Sequence, residues 1–271
     1  MPARSLTIVL PAYNEEQRLG PALDELFGYL RRSGERAREG APGPDSLPED
    51  VRVLVVDDGS ADGTAELVRR RPEAASHGGF RLDLLTVPHG GKGAAVRAGM
   101  LAADSDLVVF ADADMATPPD QLPVLTCALE TADVALGSRI QPDGSDMRTS
   151  QPLYRRLLGR TFRTLAALWV VGPVQDTQCG FKGFSREAAR DLFARQRVTS
   201  IVFDVELIYL ARRRGYRLAV VPIRWADRRG SHMQMRPAVA VRVAWDLLRI
   251  PLIHRGAGRQ PAAASTHDAA R

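Results

Sequence analysis

Five strand-length apolar runs, Leu6–Leu10, Val51–Val56, Leu82–Val87, Leu107–Phe110 and Val134–Leu136, alternate with helix-like segments at Glu15–Arg32, Asp62–Arg71, Gly93–Ala103 and Pro119–Thr131. The runs are almost unbroken in apolar character, so a strand built from any of them must bury both of its faces. That argues against an antiparallel sheet with one wet face. It predicts an α/β fold, a mostly parallel central sheet covered by helices on both faces. Ligands of such sheets gather outside the carboxyl ends of the strands, which makes the residues just after each run the first candidates for function.

Those residues are polar or glycine-rich in every case: "PAYNEE", "DDGSADGT", "PHGGKG" and "DADMATPP". Convergence on one rim would bring Asp57, Asp58, Lys92, Asp112 and Asp114 together. Asp112 and Asp114 flank Ala113 at the end of a strand, and hard carboxylate oxygens on a tight turn suit Mg²⁺ or Mn²⁺ shared with substrate phosphates. Asp57 or Asp58, following a strand, is placed to contact a nucleobase or ribose, or alternatively to brace its own turn. An EF-hand is excluded, because position 12 of a loop starting at Asp57 is Val68. "HGGKG" offers an anion cradle with Lys92 but lacks the spacing and the Ser/Thr of a P-loop.

In the second half, Arg139 stands where the fifth run should end, with Arg148, Arg155 and Arg156 close by in sequence, and arginines grip phosphate oxygens bidentately. Asp176, Lys182, Asp204 and Glu206 lie in "VQDTQCGFKGF" and "IVFDVELIYLARR". Pro152–Val171, Phe203–Arg214 and Pro237–Ile250 are expected as helices and Tyr216–Pro222 as a strand, while Gly34–Asp50 is expected as a surface excursion and 256–271 as a disordered tail.

Composition narrows the class. Residues 1–138 carry 13 Lys/Arg against 22 Asp/Glu, and residues 139–255 carry 22 against 9, so the net charge of +5 conceals an acidic half and a basic one. A basic surface suits a phosphate-bearing substrate, anionic lipid or nucleic acid, yet aromatic interleaving is sparse and no nucleic-acid module appears. No run reaches the roughly 18 apolar residues of a membrane span. Cys127 and Cys179 have neither disulfide nor zinc spacing and are expected as free thiols. The N-terminus has no signal-peptide pattern, which points to the cytoplasm.

Taken together, "PAYNEE", "VVDDGSADGT", "GGKG", "ADADMATPPD", "GSR", "DTQCGFKGF" and "FDVELIYLA" resemble the family 2 inverting glycosyltransferases of the GT-A fold. Within them the pattern is most similar to the dolichyl-phosphate β-glucosyltransferases, of the branch that glycosylates polyprenyl phosphates. The resemblance covers roughly residues 5–250 and implies one catalytic domain, 1–255, with a donor half to about 138 and an acceptor half beyond. It implies a sugar nucleotide donor, UDP-glucose, and a divalent ion on Asp112 and Asp114. Pro11, Ala12, Tyr13, Glu15, Asp57 and Asp58 would line the nucleoside pocket, with Lys92 and Ala113 beside the diphosphate. Arg139, Arg155 and Lys182 would meet the acceptor phosphate, with Asp176 beside them, and Arg229 and Ser231 of "DRRGSH" would belong to a loop closing on the donor.

Eukaryotic relatives carry an N-terminal anchor, whereas the first strand here begins within the first ten residues. "RPAVAVRVAWDLLRIPLIHR" is amphipathic, with Val241, Trp245, Leu248 and Leu252 on one face, and suits either peripheral contact with a bilayer or closure of the core. Two other acceptors or donors fit the same motifs. A soluble hydroxyl acceptor would need Asp176, Asp204 or Glu206 as general base, and a GDP-mannose donor would make the enzyme a mannosyltransferase. A nucleotidyltransferase would release pyrophosphate instead.

Overall fold

The computed structural model describes residues 5–39, 47–75, 79–147, 170, 176–226, 228 and 237–258, the side chains of 237–241 excepted. Seven strands, β1 (Leu6–Ala12), β2 (Val51–Asp57), β3 (Phe80–Thr86), β4 (Leu107–Ala111), β5 (Val134–Ser138), β6 (Phe181–Ser185) and β7 (Leu218–Pro222), form one sheet. Their order is β3-β2-β1-β4-β6-β5-β7. Around it pack α1 (Glu16–Arg38), α2 (Thr64–Arg69), α3 (Lys92–Ala102), α4 (Leu122–Ala128), α5 (Arg186–Arg195), α6 (Phe203–Arg214) and α7 (Pro237–Ile253).

The unbroken apolar runs do bury both faces. Ile8 and Leu10 of β1, Val53 and Val55 of β2 and Val109 of β4 face α1, which contributes Leu19, Leu23, Leu26, Phe27 and Leu30 at helical spacing. The alternate residues Val9, Leu54, Val56, Val108 and Phe110 face α3, α5, α6 and α7. On that side α3 is built of small residues because it lies close to the sheet. A Cβ on Gly99 would stand 2.7 Å from Val56 Cγ2 and would also strike Val9.

Three departures from expectation go beyond a few residues at an element's end or add an element. Helix α1 continues through Gly34 to Arg38, since nothing in "SGERAR" stops an established helix, so the surface excursion starts later. Arg186–Arg195 forms α5, capped by the Ser185 side chain accepting from the Ala188 amide, a helix that the alternation of apolar runs does not reveal. Residues 256–258 belong to the folded body, because Ala257 is buried and Arg214 donates to the Gly258 carbonyl at 2.9 Å. The expected helix at Pro152–Val171 lies outside the described residues, Val170 apart, as do 259–271.

Candidate active site

β6 runs antiparallel to both its neighbours, β4 and β5, whereas all other pairings are parallel. This reversal has a functional consequence. The loop entering β6, Asp176–Gly180, arrives at the same rim as the loops leaving β1 to β5, so residues of the second half of the chain face the motifs of the first half across β4.

In the first half of the chain the loops after β1 and β2 are stapled together. Asn14 sits at φ 54°, a left-handed conformation that Asn tolerates; its side chain accepts from the Ala61 amide at 2.9 Å, and its own amide donates to Ser60 Oγ at 2.9 Å. The Glu15 amide donates to Thr64 Oγ1 at 2.8 Å, and the Gly63 amide to Glu16 Oε2 at 3.1 Å. Asp57 is buried and accepts from the Ser60 amide at 3.1 Å. Above this frame Tyr13, 44% exposed, stacks on His89 with ring centroids 4.2 Å apart. Pro11 is half-buried and Ala12 buried, so they form floor rather than contact surface. Glu15 binds Arg18, which also approaches Asp114 at 3.5 Å.

Asp58 has a different role from Asp57. Its two oxygens accept from the Gly90 and Gly91 amides at 2.8 and 2.9 Å, and His89 Nδ1 lies 2.9 Å from Oδ2. A buried carboxylate so engaged shapes the glycine loop and has little left for a nucleoside. That loop delivers Lys92 to the first turn of α3, where its Nζ meets Asp112 Oδ1 at 2.5 Å. Burial opposes the ammonium, but Asp112 and then Asp204 outweigh it and hold the Lys92 pKa up. Asp114 is pushed the same way, by burial and by the neighbouring Asp112 carboxylate.

The turn between the two aspartates is tight. Met115 lies at φ 51°, its amide donating to the Asp112 carbonyl at 3.1 Å, while Asp114 Oδ1 accepts from the Ala116 amide at 3.1 Å. Asp112 rests directly on Gly180, where a side chain would overlap its carboxylate. Two adjacent carboxylates offer hard oxygens suited to a divalent ion, which would compete with the Lys92 ammonium for Asp112. Among the described residues no group of three His, Cys, Asp or Glu side chains forms a ligand set. An ion here would therefore complete its shell with substrate oxygens and water.

Across β4, Arg139 forks onto Asp176, with Nε to Oδ2 at 2.8 Å and Nη2 to Oδ1 at 2.7 Å, and its guanidinium lies 5.6 Å from the Trp225 ring centroid. The site therefore contains the expected arginine, but charge-compensated. Lys182 departs further from expectation. Its side chain is fully buried, donating to the Cys179 carbonyl at 2.5 Å and to Asp204 Oδ1 at 2.6 Å, beneath the rim rather than on it. Asp204 is pushed upward by burial, against the pull of Lys182 and Lys92. Glu206, also completely buried, accepts from the Arg197 and Val198 amides at 2.9 Å each and meets His254 Nε2 at 2.6 Å. Cys127 and Cys179 are free, and burial, then Asp176, pushes the Cys179 thiol up to about 12. Arg148, Arg155, Arg156, Arg229 and Ser231 lie outside the described residues.

His89, Asn14, Arg18 and Gly180 escaped the sequence reading. Asn14 carried a signal, standing between Tyr13 and Glu15 at the end of β1, and Gly180 lies within the quoted loop that enters β6. His89 carried none, because Tyr13 and Asp58 are remote in the chain, and Arg18, although three residues from Glu15, gave no hint of Asp114.

The family model described as glycosyl transferase family 2 matches residues 7–193, from β1 through most of α5, and so spans both sides of this rim. The chain belongs to glycosyl transferase family 2. A dolichyl-phosphate β-glucosyltransferase of Trichomonas vaginalis is 39% identical over 256 residues, 92% of this chain and 71% of that protein. Those of Drosophila melanogaster and Homo sapiens are 37% and 32% identical over 240 residues, 86% of this chain and 70% of theirs. Among solved structures, glucosyl-3-phosphoglycerate synthase from Mycobacterium tuberculosis with Mn²⁺, UDP-glucose and phosphoglyceric acid aligns at TM-score 0.57 and 21% identity, covering 96% of this chain and 82% of that one. The same enzyme with Mg²⁺ and UDP aligns at TM-score 0.56 and 22% identity, covering 96% and 81%. The likeness to these structures is one of fold, and the architecture is the GT-A arrangement.

Proposed function

We propose that this chain transfers glucose from UDP-glucose to a polyprenyl phosphate of dolichyl type at a membrane surface, on the cytoplasmic side, with inversion at the anomeric carbon. The observation that carries the choice of acceptor is the engagement of the acidic side chains around the acceptor side. Asp176 is forked by Arg139, Asp204 holds Lys182, and Glu206 is held by two amides and His254. A hydroxyl acceptor needs a base to take its proton. A phosphate monoester, with a second pKa near 6, is already ionised at neutral pH and needs none. The similarity to dolichyl-phosphate β-glucosyltransferases over most of the chain supports the same acceptor and sugar.

In the reaction a phosphate oxygen of the acceptor forms a bond to the anomeric carbon as the bond from that carbon to the nucleoside diphosphate breaks. Asp112 and Asp114 would hold Mg²⁺ or Mn²⁺, which supplies Lewis-acid stabilisation of the charge on the departing diphosphate. The chain's own residues do the positioning. Tyr13 and His89 offer a flat ring surface for the base. Lys92, at the N-terminus of α3, would offer its ammonium and the positive end of the helix to the diphosphate. Arg139, stiffened by Asp176 and Trp225, marks the acceptor side, with Arg155 proposed to join it and Arg229 and Ser231 to cover the donor.

The test is a panel of UDP- and GDP-sugars incubated with and without a short polyprenyl phosphate, with mass spectrometry of both phases. Glucosyl-phospholipid formed only with UDP-glucose, abolished by chelation and restored by Mg²⁺ or Mn²⁺, is the expected result. Mannosyl lipid from GDP-mannose, or glucosylation of a soluble hydroxyl compound without turnover of the lipid phosphate, would overturn it.

A further inference from the structure

Helix α7 has two faces of different character. Val243, Leu247 and Ile250 are packed into the core, and Asp246 on the same side is buried, accepting from Ser200 Oγ at 2.6 Å and paired with Arg249 at 2.7 Å. Opposite them Trp245 is 64%, Leu248 52% and Leu252 51% exposed. These three are half of the six large apolar residues exposed among the described residues. At 3.6 residues per turn they form one stripe, flanked by Arg242 and Arg249 on one side and Arg255 on the other. The only acidic residue of 237–258 is the buried Asp246, so the exposed charge of this segment is entirely positive. Arg197 and Arg213 add to it, donating at 3.2 Å to the carbonyls of Ile253 and Arg255.

The helix is also tied to the reaction centre. Ser200, which Asp246 holds, follows Thr199, whose carbonyl accepts from the Gly93 amide at 3.0 Å, next to Lys92. An apolar stripe edged by arginines is the pattern of a helix lying in the headgroup region of an anionic bilayer. A second copy of the chain is a poorer occupant, since a two-fold pairing through this stripe would set arginine against arginine.

We infer that α7 docks the enzyme on anionic membrane through Trp245, Leu248 and Leu252, holding the rim close to an acceptor in the bilayer. The inference rests on the proposed lipid acceptor for its purpose, and the helix's exposed chemistry carries the docking itself. The test is co-sedimentation of the full chain with phosphatidylcholine vesicles, with and without phosphatidylglycerol. The wild type is compared with Trp245→Ser/Leu248→Ser/Leu252→Ser and with Arg242→Glu/Arg255→Glu, all at exposed positions, and folding is verified by circular dichroism. The wild type should bind the anionic vesicles, and either variant should lose about tenfold or more in partitioning. Turnover of a short, water-dispersed polyprenyl phosphate should be unchanged in both variants, while turnover of a vesicle-embedded one falls.

Equal partitioning of wild type and the apolar variant would overturn the inference. So would a wild type that ignores anionic vesicles but is a dimer in light scattering, with the apolar variant a monomer, because the stripe would then be a subunit interface. Vesicle binding lost on substitution, with no glucosylation of either lipid phosphate by the wild type, would leave docking intact and sink the proposed reaction instead.

Discussion

Gly180→Ala isolates the geometry of the carboxylate pair from the stability of the fold. The Gly180 backbone is not in the left-handed region, so alanine meets no conformational penalty there. Its only difficulty is the Asp112 carboxylate, whose Oδ1 and Cγ would lie 2.5 Å from the new Cβ. Ordinary contact needs roughly 3.5 Å or more, so the carboxylate must retreat by about 1 Å. Asp112 is one third exposed and is the end of a side chain, so it can move without disturbing the core. The melting temperature should therefore change by no more than about 3 °C. Activity should not be spared. A displacement of that size in a positioned group costs about hundredfold, and it also draws Asp112 from Lys92. The assay is kcat and KM for UDP-glucose with a short polyprenyl phosphate, beside thermal melts. Gly215→Ala is the matched control. Gly215 caps α6 at φ 85° with nothing near its Cβ, so alanine there should cost about 1 kcal/mol of stability and leave kcat alone. A Gly180→Ala enzyme with wild-type kcat/KM would refute the claim that this glycine sets the position of Asp112.

Lys182→Met would strand the buried Asp204 and should cost roughly 3–5 kcal/mol in urea denaturation, with Lys182→Met/Asp204→Leu recovering much of it; a loss below about 1 kcal/mol would mean the pair is not buried as described. Tyr13→Ala should weaken UDP binding about tenfold by calorimetry, the worth of one aromatic stacked on a base, and unchanged affinity would remove Tyr13 from the nucleoside pocket. Asp191, held by Arg214, Arg195 and Tyr216, has its pKa lowered; burial opposes the shift, but the Arg214 and Arg195 hydrogen bonds prevail. Its stabilisation is thus present above the unfolded value of about 4 and is lost as pH falls through the lower native value. Asp191→Asn should be less stable than wild type by about 1–2 kcal/mol at pH 6, and the gap should narrow below about pH 4; a gap independent of pH would exclude an ionic origin.

Much of the rim contributed by the first half was legible in the chain. Each apolar run ends on the residues that the rim displays, because a strand's carboxyl end and its following loop are local in sequence. Asp112 and Asp114, Lys92 in its glycine loop and the amphipathic α7 needed no knowledge of the rest of the fold. The part contributed by the second half was less legible. Arg139 and Lys182 are both cations in plausible places, yet their partners Asp176 and Asp204 lie 37 and 22 residues away. Nothing in the spacing says that one is compensated at the rim and the other sealed beneath it.

The chain by itself determined which residue types terminate each strand, and hence that carboxylates, glycines and a lysine would gather at one edge of a buried sheet. Tertiary structure decided their duties. The reversed strand β6 carries Asp176 and Gly180 to that edge, Asp58 turns inward to build the Lys92 loop, and Asp112 comes to rest on Gly180. Side-chain period and turn chemistry are encoded over a few residues, whereas the partner that satisfies a buried charge is chosen by chain segments meeting in space.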